Sequence, residues 1–115
     1  MMVYDKVSPY EVYWCDLPVN GEFAVGGRRP VVIVSNEKEC LFSTNVLVVP
    51  MTSSIKRTDL PCNVVCNVDN RDSMALCNQI TTVPKTWLRE YAGRLAPKEV
   101  REVQMALLIE LGFVG

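Results

Sequence analysis

The chain has 115 residues, of which 49% are hydrophobic and 22% charged, and a formal net charge of -1. That length suits a single domain over residues 1–115 with one real core, and the near-neutral balance excludes a global basic field, so any site for an anion must be local. No apolar run approaches the ~20 residues of a membrane helix, and the start MMVYDKVSPY lacks the basic and apolar regions of a secretory signal, so a soluble, cytoplasmic protein with no membrane partner is expected.

EVYWCDL (11–17) alternates and is rich in aromatics, which predicts a strand. PVNGEFAVGG (18–27) is a long loop with Pro and Gly at its two ends. RPVVIVS (29–35) follows as a second strand, and the β-branched run from Val31 carries no polar break, so it is expected at the centre of a sheet, covered on both faces. Pro30 lacks an N–H and belongs at the start of that strand. NEKECLFS (36–43) can hold one helical turn. TNVLVVPMT (44–52) is the third strand, with Pro50 confining its end to an edge or a bulge, and SSIKRTDL (53–60) is a basic loop.

PCNVVCNV (61–68) alternates as a fourth strand, with Cys62 and Cys66 on one face, and DNRDS (69–73) supplies turn chemistry. MALCNQITTV (74–83) predicts a fifth strand with a bend. PKTWLREY (84–91) opens with Pro at a helix-start position and meets Gly93 as a stop, which predicts a short helix. APKEVREVQMALLIELG (96–112) predicts a second, longer one, with Pro97 near its first position, Gly112 at its C-cap and Val100, Val103, Leu107 and Leu111 on one stripe. Met105, Leu108 and Ile109 widen that stripe beyond what one small sheet needs. Strands in succession followed by helices exclude a βαβ layout and point to a mainly β fold, a small, strongly bent barrel with helical cover.

The chemistry available is limited. Histidine is absent, which excludes paired-histidine ribonuclease catalysis and a Ser–His–Asp triad. No Gly-rich phosphate loop with a Lys-Ser/Thr pair is present, and no acidic cluster suggests a Mg²⁺ site. The five cysteines show no CxxC spacing, so reduced structural thiols are expected, with no metal. What remains is arginines, hydroxyls and amides at strand ends. Arg29 stands at the mouth of the second strand, Thr52 and Ser53 follow the third, and Asn78 and Gln79 end the fifth. A planar guanidinium with a neutral hydroxyl donor suits phosphate chemistry by charge stabilisation.

GGRRPVVIVSN, VLVVPMTSSIKR, LPCNVV and SMALCNQITTVPKTWL follow one another in order. Together they resemble the successive signatures of the MazF/PemK family of toxin endoribonucleases, and the likeness runs from EVYWCDL to the C-terminal helix. The resemblance implies an SH3-like (CcdB/PemK-type) barrel with a C-terminal helix, a homodimer, cleavage of single-stranded RNA with no metal or other cofactor, and neutralisation by a cognate antitoxin protein whose disordered tail occupies the RNA groove. It places the family's strand-start arginine on Arg29, its V-P-x-T threonine on Thr52 and its glutamine on Gln79. The chain departs from the pattern at Asn78, where some members carry an acid, and around Gly21 and Glu22, where some carry a histidine.

The implied reaction is in-line attack of the 2′-hydroxyl on the adjacent phosphorus, leaving a 2′,3′-cyclic or 3′-phosphate and a 5′-hydroxyl. Arg29 would neutralise the growing charge and Thr52 would orient the phosphate or the attacking hydroxyl, with Glu22 or a water as the base. Arg28 would assist electrostatically, Phe23 would take a splayed base, and Lys56 and Arg57 would track phosphates alongside Ser53, Asn78 and Gln79. Two other readings stand beside it: a non-enzymatic CcdB-like toxin that binds a protein target such as gyrase, and an SH3-like peptide-binding module, for which no acidic aromatic groove is evident.

Overall fold

A computed structural model describes residues 6–19 and 26–115. The chain runs β1 (Glu11–Leu17), β2 (Gly27–Ile33), α1 (Glu37–Phe42), β3 (Asn45–Thr52), β4 (Asn63–Val68), β5 (Arg71–Leu76), β6 (Thr81–Pro84), β7 (Leu88–Arg94) and α2 (Pro97–Glu110). All seven strands join one antiparallel sheet in the order β4-β5-β3-β2-β1-β7, with β6 paired to β3 off that path. The fold is mostly β, a curled half-barrel sheet with α2 as its cover.

Alternation along β1, β2 and β3 serves two cores at once. Val12, Val32, Val49 and Met51 pack with Val64, Cys66, Cys77, Val103 and Ala106 under α2. Tyr13, Cys15, Val31, Ile33 and Val48 face the other way, onto Cys40 of α1, Val83 of β6 and Leu88 of β7. Val31, Val32 and Ile33 are fully buried, so β2 is the doubly covered central strand that its unbroken apolar run predicts.

Several local expectations are corrected. Pro50 lies inside β3, a central strand, opposite Val31 of β2. Val34 donates to the Leu47 carbonyl at 2.9 Å, which sets the register so that the Pro50 nitrogen faces away from β2. On that other side β6 pairs only as far as Val48 and β5 begins at Met51, so Pro50 falls at the changeover where no donor is needed. Residues 74–83 are not one bent strand: β5 pairs with β4, β6 pairs with β3, and a 3-10 turn at Cys77–Gln79 carries the chain between those neighbours. The turn expected over 69–73 needs only Asp69 and Asn70, both at positive φ, and Arg71 already pairs with Val68.

The short helix expected over 84–91 does not form. Pro84 closes β6 opposite Asn45, Lys85–Trp87 make a 3-10 turn, and Leu88 starts β7, whose Leu88 and Tyr91 pair with Cys15 and Tyr13 of β1. The open edge of β1 outweighs the weak local helix signal. Lys85 is buried, and its Nζ donates to the Cys40 carbonyl at 2.5 Å, which fastens the turn to α1. Gly93 is no helix stop. It sits at φ +144° in β7, with a Cβ there only 2.8 Å from Val68 of β4, where the two ends of the curled sheet approach each other.

α2 begins at Pro97 as expected, with Gly112 at positive φ just beyond its end. The Glu99 carboxylate accepts from Ala96 N–H at 2.8 Å and from Asn67 N–H of β4 at 2.7 Å, clipping the helix start to a sheet edge. Val103 and Ala106 carry the buried stripe; Leu111 lies past the last helical turn and is exposed. Among the described residues no helix is long and apolar enough to cross a membrane.

Candidate functional site

Between the curled ends of the sheet lies a cleft of about 470 Å³. One wall comes from β1 and β2 through Trp14, Arg28, Arg29 and Pro30, the other from the β4–β5 hairpin through Asp69, Arg71, Asp72 and Ser73. Ser53, just after β3, and Tyr91 of β7 add to the lining, and Val12, Met51, Val68 and Ala92 supply its apolar part. Trp14 pairs with Pro30 and Asp16 with Arg28, so the strand period brings these side chains to one face at the mouth of β2.

Both arginines are held by their inner nitrogen. Arg29, half-buried, donates from Nε to the Gly26 carbonyl at 3.2 Å. Arg28 donates from Nε to Asp16 Oδ1 at 2.9 Å, and Arg89 of β7 meets Asp16 Oδ2 at 2.8 Å. Asp16 is held below the usual carboxylate range, first by the hydrogen bond from Arg28 and then by its charge and that of Arg89. Across the cleft Asp72 Oδ1 accepts from Asn67 Nδ2 at 2.9 Å. The site therefore mixes three arginines with two carboxylates and two aromatic rings, in keeping with a ligand that carries both phosphates and bases.

The cysteines take no part in this chemistry. All five are free; Cys15, Cys40, Cys66 and Cys77 are buried, and burial pushes the thiols of Cys15, Cys66 and Cys77 up to about 12. No group of three or more His, Cys, Asp or Glu side chains is arranged to hold a metal among the described residues.

Of the residues singled out from sequence, Arg28, Arg29 and Ser53 line the cleft together. Thr52 adjoins it at the end of β3, and its Oγ1 accepts from Ser54 N–H at 3.1 Å. Asn78 and Gln79 lie on the Cys77–Gln79 turn, outside the cleft lining. Lys56 is exposed in the loop after β3, and Arg57 is engaged by Asp59 through two hydrogen bonds of 3.0 and 2.9 Å. Glu22 and Phe23 lie outside the described residues. Sequence reasoning missed Trp14, Arg71 and Tyr91. Strand parity with Pro30 could have found Trp14; Arg71 and Tyr91 were hidden by assigning the one to a turn and the other to a helix.

Residues 8–111 match the family described as PemK-like, MazF-like toxin of type II toxin-antitoxin system. The chain is 36% identical over 107 residues to endoribonuclease MazF of Staphylococcus saprophyticus, covering 89% of this chain and 88% of that protein. Among solved structures it resembles a mycobacterial endoribonuclease in complex with its cognate antitoxin, at TM-score 0.81 and 26% identity over 95% of this chain and 98% of the other. MazF from Deinococcus radiodurans has the same fold at TM-score 0.80, with 19% identity over 92% of this chain and 96% of the other.

Proposed function

Because this chain belongs to the PemK-like, MazF-like toxins of type II toxin–antitoxin systems, we propose that its arginine-lined cleft is where RNA is bound and cut. The protein is an endoribonuclease, the toxin half of such a pair. The observation that carries the assignment of the site is the pair Arg28 and Arg29 at the mouth of β2, each pinned through Nε on a cleft that also offers Trp14 and Tyr91. Pinned guanidiniums are preorganised donors, worth roughly 3–4 kcal/mol apiece in other enzymes when aimed at developing charge.

In this reading single-stranded RNA lies across the cleft with bases against the aromatic rings and phosphates toward the arginines. Glu22 or a water takes the proton of the 2′-hydroxyl as it attacks the neighbouring phosphorus in line. The 5′-oxygen of the next nucleotide leaves and takes a proton from solvent to end as a 5′-hydroxyl, and addition of water to the 2′,3′-cyclic phosphate gives the 3′-phosphate. Arg29 stabilises the charge on the non-bridging oxygens. Thr52 orients the phosphate through its O–H, which has no acceptor among the described residues, while its oxygen accepts from Ser54. The arginines carry the charge, so the reaction proceeds without a metal ion. Sequence choice is assigned to Phe23, which lies outside the described residues, and to Lys56 and Arg57 of the loop after β3. The protein works as a homodimer through the outer face of α2, where Met105 and Leu108 remain exposed beside Phe113, and a cognate antitoxin is its natural inhibitor. The likeness to endoribonuclease MazF favours this reading over a toxin that acts on a protein target.

The test is digestion of a long unstructured RNA by the purified protein in EDTA, with Arg29→Ala alongside. Cleavage that survives chelation, leaves 5′-hydroxyl ends and falls by at least a hundredfold in the variant is expected. Cleavage by Arg29→Ala at the wild-type rate would remove Arg29 from the mechanism, and abolition by EDTA would remove the metal-free reaction.

A further inference from the structure

Arg28 is an exposed charge on the cleft wall, yet its hydrogen bonding is one-sided. Nε is committed to Asp16 at 2.9 Å, and among the described residues neither terminal nitrogen has a hydrogen-bond partner. Behind Asp16 stands Arg89, whose Nε meets the second carboxylate oxygen at 2.8 Å while its Nη1 donates to the Thr86 carbonyl at 2.8 Å and the Leu88 carbonyl at 3.3 Å. Those carbonyls belong to the 3-10 turn and the start of β7, which the buried Lys85 fastens to α1. A line of contacts thus runs from the protein's interior through Arg89 and Asp16 to one guanidinium on the cleft wall.

Charge alone gives no reason for Asp16 to be there. A carboxylate close to a surface that takes polyanions opposes their binding. Its geometry supplies a reason. An arginine gripped through Nε keeps its two terminal nitrogens pointing forward as a planar fork, the arrangement that takes two oxygens of one phosphate. Arg89 spends three of its contacts on Asp16 and on backbone, so it serves as the anchor and Arg28 as the reaching group.

We propose that Asp16 and Arg89 are positioning residues that aim the terminal fork of Arg28 at a backbone phosphate of the bound RNA. This rests on the reading of the cleft as the RNA site, and it gives Arg28 a phosphate beside the one that Arg29 attends.

The two accounts of Asp16 predict opposite signs. Asp16→Asn removes a negative charge at constant shape, so by charge alone it tightens nucleic-acid binding. If Asp16 aims Arg28, the same change weakens it, on the order of tenfold for one charge-assisted phosphate contact. The measurement is binding of a twenty-nucleotide mixed-sequence RNA and its all-deoxy counterpart, which lacks the 2′-hydroxyl and cannot be cut, to the wild type, Asp16→Asn, Arg28→Ala and the double variant. Expected are weaker binding of both probes by Asp16→Asn, a salt slope reduced by about 0.7 for one lost single-strand phosphate contact, and no further loss when Asp16→Asn is added to Arg28→Ala. In cleavage the loss falls on KM more than on kcat. Arg89→Lys keeps the charge, loses the fork and shifts binding the same way, which serves if Asp16→Asn fails to fold by thermal melting. Tighter or unchanged binding by Asp16→Asn, or additive losses in the double variant, overturns the proposal. A wild type that binds both probes but cuts no RNA refutes the catalytic reading and leaves the positioning result standing; a wild type that binds neither probe refutes both.

Discussion

Replacing Gly93 by alanine would put a methyl group 2.8 Å from Val68 Cγ1, at a backbone φ of +144° that side chains rarely adopt. The strained backbone costs about 1–3 kcal/mol. Overpacking against Val68, which is almost fully buried at the end of β4, adds about 1–3 kcal/mol. The sum is a large part of the ~5–15 kcal/mol that holds a domain of this size together, and Tm should fall on the order of 10 °C. Urea unfolding followed by circular dichroism measures it. Val68→Ala removes the atom that the new methyl strikes, so the double variant should lose less than the two single losses added together. Gly93→Ala within 0.5 kcal/mol of wild type, or strict additivity with Val68→Ala, would refute the reasoning. The consequence reaches function, because Val68, Asp69, Tyr91 and Ala92 border the cleft, and a β7 pushed off β4 widens it.

Alkali should destabilise the fold through its thiols. Cys15, Cys66 and Cys77 are raised to about 12 by burial, against ~8.5 in the unfolded chain. A raised folded pKa means that the stabilisation is complete below pH ~8.5 and drains away as pH climbs toward 12, each thiol contributing about 1.4 kcal/mol per pH unit in that window. Urea midpoints at pH 8 and pH 10 check this, and equal midpoints would contradict it. At pH 8 the native protein should expose one reactive thiol to a disulfide reagent, the half-buried Cys62, with the other four reacting only in urea. Asn36→Ala should cost about 1 kcal/mol, because Asn36 Oδ1 caps α1 by accepting from Glu39 N–H at 2.9 Å; hydrogen exchange at Cys40 would report the frayed helix.

Much of this architecture could be seen in advance, for reasons that differ from place to place. β1 matched its expected span residue for residue, because alternation and aromatic content agreed there with its tertiary partners. β2 announced its double burial by lacking any polar break. β7 did not announce itself: Pro84 as a start and Gly93 as a stop favoured a helix locally, and only the unpaired edge of β1, a long-range fact, makes it a strand. The part of the cleft built by β2 was legible because an arginine pair beside Pro30 is a local signal, whereas Trp14 of β1 went unread. Arg71, Tyr91 and the bond from Arg28 to Asp16 were not, since each depends on which strands become neighbours when the sheet curls.

The sharing of β1, β2 and β3 between two cores bears on how the protein comes apart. Val32 packs under α2 while Val31 and Ile33 pack under α1, so neither core can dissolve without stripping the strands that support the other. A single sheet with two dependent faces melts as one cooperative unit. Its helices are the exception, since each leans on only one face: α2 can lift Val103 and Ala106 off Val32, Val49 and Val64 by local opening and leave the cleft, on the sheet's own curvature, still assembled.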